Sequence, residues 1–122
     1  MASGDLASAA RIFLGTWGTE VFDDLPATQQ DYITDRIWIP GATEPALIHD
    51  GANLLPRLHG LSLTTLLVEG ALSPPVIDEI NTRLAAELPN ARRTIIDGAS
   101  HMAPITHAGP VASAIDTFLD TL

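Results

Sequence analysis

The sequence contains no cysteine. Disulfide bridges, thiolate metal ligands and a cysteine nucleophile are thereby excluded. Basic residues are scarce as well: 6 lysines and arginines stand against 15 aspartates and glutamates, a formal charge of −9. Such a surface repels phosphate backbones and anionic lipid, so neither nucleic-acid nor membrane binding is expected. No apolar run approaches the roughly 18 residues that a spanning helix needs. The first residues lack a basic segment and place Asp5 early, so no secretory leader is expected either. Internal repeats and low-complexity stretches are also missing. Together these absences point to a soluble, cytoplasmic protein.

What is present suffices for one core. Hydrophobic residues make up 46% of 122 residues, enough for a packed domain and against disorder. The texture changes near Gly60. Residues 1–60 hold both tryptophans and the sole tyrosine, without strand-like runs. Asp5 can cap a helix whose apolar residues Leu6, Ala9, Ala10, Phe13 and Leu14 fall at helical spacing, ended by Gly15 and Gly18. Pro26 suits the start of a second helix, with Tyr32, Ile33, Ile37 and Trp38 on one face and Pro40-Gly41 as its stop. A third, interrupted helical stretch is expected over residues 45–58.

Residues 61–122 read as strand, helix, strand, helix. The run over 63–69, closed by Gly70, is nearly continuous in apolar residues, as a parallel strand buried on both faces would be. Ser73 is placed to cap the next helix, which Pro74 and Pro75 open. Val76, Ile77, Ile80, Leu84 and Leu88 then recur at about 3.6 residues. Residues 93–97 form a second short strand, closed by Gly98, and Pro110 opens a terminal amphipathic helix. Two parallel strands joined by a right-handed crossover follow from this order. The expected fold is therefore α/β: a helical region over 1–60, then β-α-β-α over 61–122, folded together as one domain.

Chemistry concentrates just past the second strand. His101 follows a strand and a glycine turn, and working residues of open parallel sheets lie beyond strand carboxyl ends. Its imidazole can exchange a proton near neutral pH. The run from Asn90 through Ile95, Asp97, Gly98, Ser100 and His101 to Pro104 resembles the last strand and catalytic-histidine loop of α/β-hydrolases. Thr65 through Glu69, Gly70 and Ser73 to Pro75 is similar to that family's penultimate strand and acid-bearing turn. The 111–119 helix matches the closing helix, and the stretch from Gly4 to Phe13, with Leu25-Pro26 downstream, resembles the cap helices.

This resemblance implies the carboxyl-terminal part of such a hydrolase, with His101 as general base. Two departures limit what it implies. The family's nucleophile stands in a Gly-x-Ser-x-Gly elbow, and no such pentapeptide occurs here: Ser100 has Met102 where a small residue belongs. The acid-turn position holds Ser73, which cannot stabilise an imidazolium as a carboxylate does.

Two functional expectations stand side by side. One is a truncated, non-catalytic scaffold that self-associates, as a dimer, or binds a small apolar ligand, with Trp17, Tyr32 and Trp38 as pocket residues. The other is a hydrolase portion active only when a nucleophile-bearing amino-terminal chain complements it, His101 then serving as base. Asp97 and Glu69 are weighed as carboxylates near His101, against solvated or structurally paired roles. Arg92-Arg93 reads as solvated surface. His49, His59 and His107 show no metal-ligand spacing, so neither metal nor cofactor is expected.

Overall fold

A computed structural model describes residues 5–18 and 20–122. Residues 1–4, read above for a leader and at Gly4 for the start of a cap helix, lie outside the described residues, as does Thr19. Contacts divide the chain between Ala52 and Asn53 into two compact units. The architecture is mixed α/β: a helical region followed by β-α-β-α built on two parallel strands. Among the described residues no helix is long and apolar enough to cross a membrane.

The first unit begins with α1, Leu6–Trp17. Asp5 caps it as its sequence position suggested: the carboxylate accepts from the Ser8 amide at 3.2 Å and also from the Ser8 hydroxyl. Ala10, on the inner face, is fully buried. A 3₁₀ turn, Phe22–Asp24, follows and buries Phe22. Arg11 ties the helix to this turn, pairing with Asp23 at 2.8 Å while its guanidinium lies 5.3 Å from the Phe22 ring centre.

Helix α2 spans Ala27–Thr34 and α3 Trp38–Ile48. Here the structure corrects the sequence reading. Pro40-Gly41 does not stop a helix; it lies inside α3. Pro40 is the third residue of α3, where an amide has no intrahelical partner, so the missing N–H costs nothing. The break falls earlier, at residues 35–37, so Ile37 and Trp38 lie beyond the helix that carries Tyr32.

The second unit opens with a 3₁₀ segment, Leu55–Gly60. Then come β1 (Thr65–Gly70), α4 (Pro75–Glu87), β2 (Ala91–Ile96), the single turn α5 (Ala103–Thr106) and α6 (Ala108–Leu119). The strands run parallel, with Leu67 opposite Arg93 and Val68 opposite Thr94. Strand alternation assigns the faces. Glu69 and Arg93 reach residues of α4. Val68 and Ile96 turn the other way and pack with Ala99, Ala103, Val111 and Ala114. Helices α4 and α6 therefore cover opposite faces of the pair.

Both strands begin near the expected residues, but the helix starts differ. Pro74, extended at φ −52° and ψ 141°, is the cap residue of α4, and Ser73 lies one place too early to bond its first turn. Helix α6 begins at Ala108, with Pro110 tolerated in its first turn as Pro40 is in α3.

The Ser8 hydroxyl, and then its amide, hold the Asp5 carboxyl below its ordinary value of 3.8. A depressed folded-state value contributes stability that is complete above the unfolded value and lost as pH falls through the lowered one. Asp5→Ala is therefore expected to fray the first turn of α1 at neutral pH. Wild type and variant should converge only in strong acid, below the lowered value of the folded state. Carbon chemical shifts of residues 6–9 across a pH titration check this; identical shifts at pH 7 would remove the cap from the account.

Candidate functional site

The carboxyl ends of β1 and β2 are stitched together by backbone. The Ala71 amide donates to the Ile96 carbonyl at 2.9 Å, and the Leu72 amide to the Ala99 carbonyl at 2.8 Å. Residues 97–102 thus fold back across the end of β1. The crossing is so close that a Cβ at Gly70 would press into the carbonyl oxygens of both Ala99 and Ser100, nearer than real Cβ atoms come. Gly98 makes the return turn at φ +69°, a left-handed conformation that glycine adopts without strain. His101 is the next exposed side chain after the crossing.

A crevice of about 480 Å³ opens beside this crossing. His101 and Ser73 both line it, together with Glu69 and Gly70 from the end of β1. Its walls are apolar: Ile77 and Ile80 come from α4, Val111 and Ile115 from α6. The structure thus brings the histidine and the acid-turn position to one cavity. A larger hollow, about 550 Å³, is lined by the single segment 54–61 and lies apart from these groups in sequence.

Chemical capacity depends on what each polar group already does. Glu69 is buried at 7% exposure, and both of its carboxylate oxygens are already engaged. One accepts from Asn81 Nδ2 at 2.6 Å; the other takes Arg93 at 2.5 Å. Arg93 also donates to Asp78 at 2.7 Å and to Thr82 at 2.7 Å. Asp78 first, and Glu69 after it, hold the Arg93 guanidinium even more firmly protonated than usual, against the opposing effect of desolvation. Sequence reasoning treated Arg93 as solvated surface. The structure instead makes it a half-buried brace between β2, β1 and α4. A pair of arginines before a strand carries no sign of partners contributed by a helix, so only Glu69 in an otherwise apolar run hinted at the brace.

Ser100 is 1% exposed, and its Oγ accepts from the Met102 amide at 3.3 Å. A hydroxyl sealed in this way offers no nucleophile at the crevice. Ser73 Oγ is buried without a hydrogen-bond partner among the described residues. Asp97 is exposed at the end of β2. His107 sits before α6 with Nδ1 2.9 Å from the Thr106 hydroxyl. His49 and His59 are exposed in separate segments. Among the described residues no group of three His, Asp or Glu side chains gathers for a metal ion.

The three residues expected to line an apolar pocket, Trp17, Tyr32 and Trp38, lie in the first unit. Trp17 is half-buried and tilts against Phe13, ring centres 6.3 Å apart. Tyr32 is 61% exposed and stacks under the Arg36 guanidinium at 3.8 Å; Trp38 is 63% exposed. No family model matches the chain, and neither a curated protein nor a solved structure does.

Gly70→Ala tests how the crossing holds the site. The added methyl group meets backbone, which cannot swing aside, so the loss should be about 3 kcal/mol, at the upper end of overpacking costs. Urea unfolding measures that loss, and amide shifts of residues 98–102 should move furthest from wild type. An unperturbed loop would mean that the crossing is not what places His101.

Proposed function

We propose that this chain is an α/β-hydrolase-like scaffold that self-associates and does not hydrolyse esters by itself. The reading rests above all on the state of the crevice. A histidine stands exposed at the strand ends, but the nearby carboxylate is spent on Asn81 and Arg93, and the nearby serine is sealed. Acyl transfer needs an activated nucleophile, a base oriented by a third group, and donors for the oxyanion. Among the described residues His101 is a candidate base, while Ser100 and Glu69 are already committed elsewhere. Ser73 keeps a hydroxyl where the resembling family keeps its acid, so the imidazolium that catalysis would form has no counter-charge from that turn. The cysteine-free, acidic composition suits a scaffold working in the cytoplasm.

A second reading is favoured by one observation, the exposure of His101 at the crevice wall. In it a nucleophile-bearing chain completes the site, and His101 acts as the general base for ester or carbon–carbon bond hydrolysis.

Both readings meet in one assay. The purified chain should turn over p-nitrophenyl acetate no faster than its His101→Ala variant. A rate that His101→Ala abolishes, with cooperative unfolding retained, would replace the scaffold by an enzyme. A His101-dependent rate that appears only on mixing with a hydrolase amino-terminal half would select the second reading.

A further inference from the structure

We infer that the free edge of β1 is a docking groove for β1 of a second copy, giving a continuous four-stranded sheet across a two-fold axis. The inference deepens the self-association in the scaffold reading and rests on it. Hydrogen-bond parity identifies the edge. The Thr65 amide donates to the Asn90 carbonyl at 3.0 Å and the Ala71 amide to Ile96 at 2.9 Å, so odd-numbered residues of β1 face β2. The amides and carbonyls of Leu66 and Val68 therefore point the other way, and the sheet of the described residues has no third strand to meet them. Two strands are too few for a stable sheet, and an unguarded edge is a template for pairing.

The two edges of the sheet are not equivalent. Strand β2 carries the exposed Arg92, a charge of the kind that blunts an edge, while Arg93 is held by Glu69 and Asp78. Strand β1 reads Thr-Leu-Leu-Val before Glu69, whose charge Arg93 and Asn81 already hold. The groove beside the carboxyl end of β1, at Val68, Glu69 and Gly70, is walled by Ile77 and Ile80 on one face and by Val111 and Ile115 on the other. An entering strand must then be apolar on both of its faces. β1 is itself such a strand, with Leu67 turned to the α4 side and Leu66 and Val68 to the α6 side. Its own edge thus fits its own sequence, as a two-fold interface requires.

The layers also fit. Two strands span about 9.6 Å, and packed helices sit about 8–10 Å apart. One α4 and one α6 per two strands would bring each helix beside its mate at ordinary packing distance. Ile80 and Ile115, 47% and 43% exposed in one copy, lie on the groove walls that would meet.

Sedimentation and amide exchange on the full chain test this. The chain should sediment as a dimer at micromolar concentration. Exchange at Leu66 and Val68 should slow as concentration rises, while Arg93 and Ile95, on the other strand's outer edge, stay unchanged. Ile80→Lys and Ile115→Lys sit at exposed positions on opposite faces, and each should weaken the dimer about a hundredfold by placing a charge in an apolar contact. Ile95→Lys should leave the dimer intact. A dimer whose protection falls on Arg93 and Ile95, or which survives both groove variants, overturns the β1 edge and leaves the scaffold reading standing. A monomer at high micromolar concentration overturns both.

Discussion

The backbone of Ala99 and Ser100 rests on Gly70, where no side chain intervenes. Nearly everything of interest in the second unit follows from that contact. It closes the carboxyl ends of β1 and β2 onto each other through the bonds from Ala71 and Leu72. It buries Ala99 and Ser100, which costs the serine its availability. It leaves His101 as the next side chain out, beside the turn that carries Ser73. The position of the histidine is thus a consequence of main-chain packing, and the burial of the serine is its complement. A loop crossing this tightly cannot present both neighbours to solvent.

The polar brace of Glu69, Arg93, Asp78 and Asn81 does a different job on the opposite face. A carboxylate at 7% exposure is tolerable only when paired and hydrogen-bonded, and Glu69 has both of its oxygens met. The arrangement fixes α4 against both strands at one register, because Arg93 must reach Glu69 on β1 and Asp78 on α4 together. Specificity of this sort is separate from net stability, which buried ion pairs supply poorly. The same pairing occupies the one carboxylate that lines the crevice among the described residues. Structure-building and site-building compete here for a single side chain, and the site loses.

The β-α-β-α order was legible in the sequence because its signals are one-dimensional. Apolar continuity marked β1, period 3.6 marked α4, and glycines closed both strands. The Asp5 cap was legible for the same reason, since donor and acceptor lie three residues apart. Helix boundaries near proline were not. Pro40 and Pro110 both lie in first turns, and a sequence shows the proline without showing which side of it the helix begins. His101 and Ser73 could be placed at strand ends, but their sharing one crevice depends on the fold-back at Gly70. The brace was the least legible feature, because Arg93 is separated from Glu69 by 24 residues and from Asp78 by 15. Exposure of Tyr32 and Trp38 was equally hidden: aromatic residues at helical spacing look the same whether the helix face is covered or bare.

Parallel pairing adds a constraint that composition alone does not show. Each strand spends alternate amides and carbonyls on its neighbour, so a two-stranded sheet always carries an unspent set on each outer side. On β2 that set belongs to residues 91, 93 and 95, on either side of the exposed Arg92. On β1 it borders, at Val68, the groove walled by Ile77, Ile80, Val111 and Ile115. Poorly hydrated backbone groups are costly, and apolar walls left wet add to that cost. An incoming strand relieves both at once: its backbone bonds the free edge while its side chains dry the walls. Crevice, free edge and exposed isoleucines are then one feature seen from three sides. The histidine at its end marks where the strands stop.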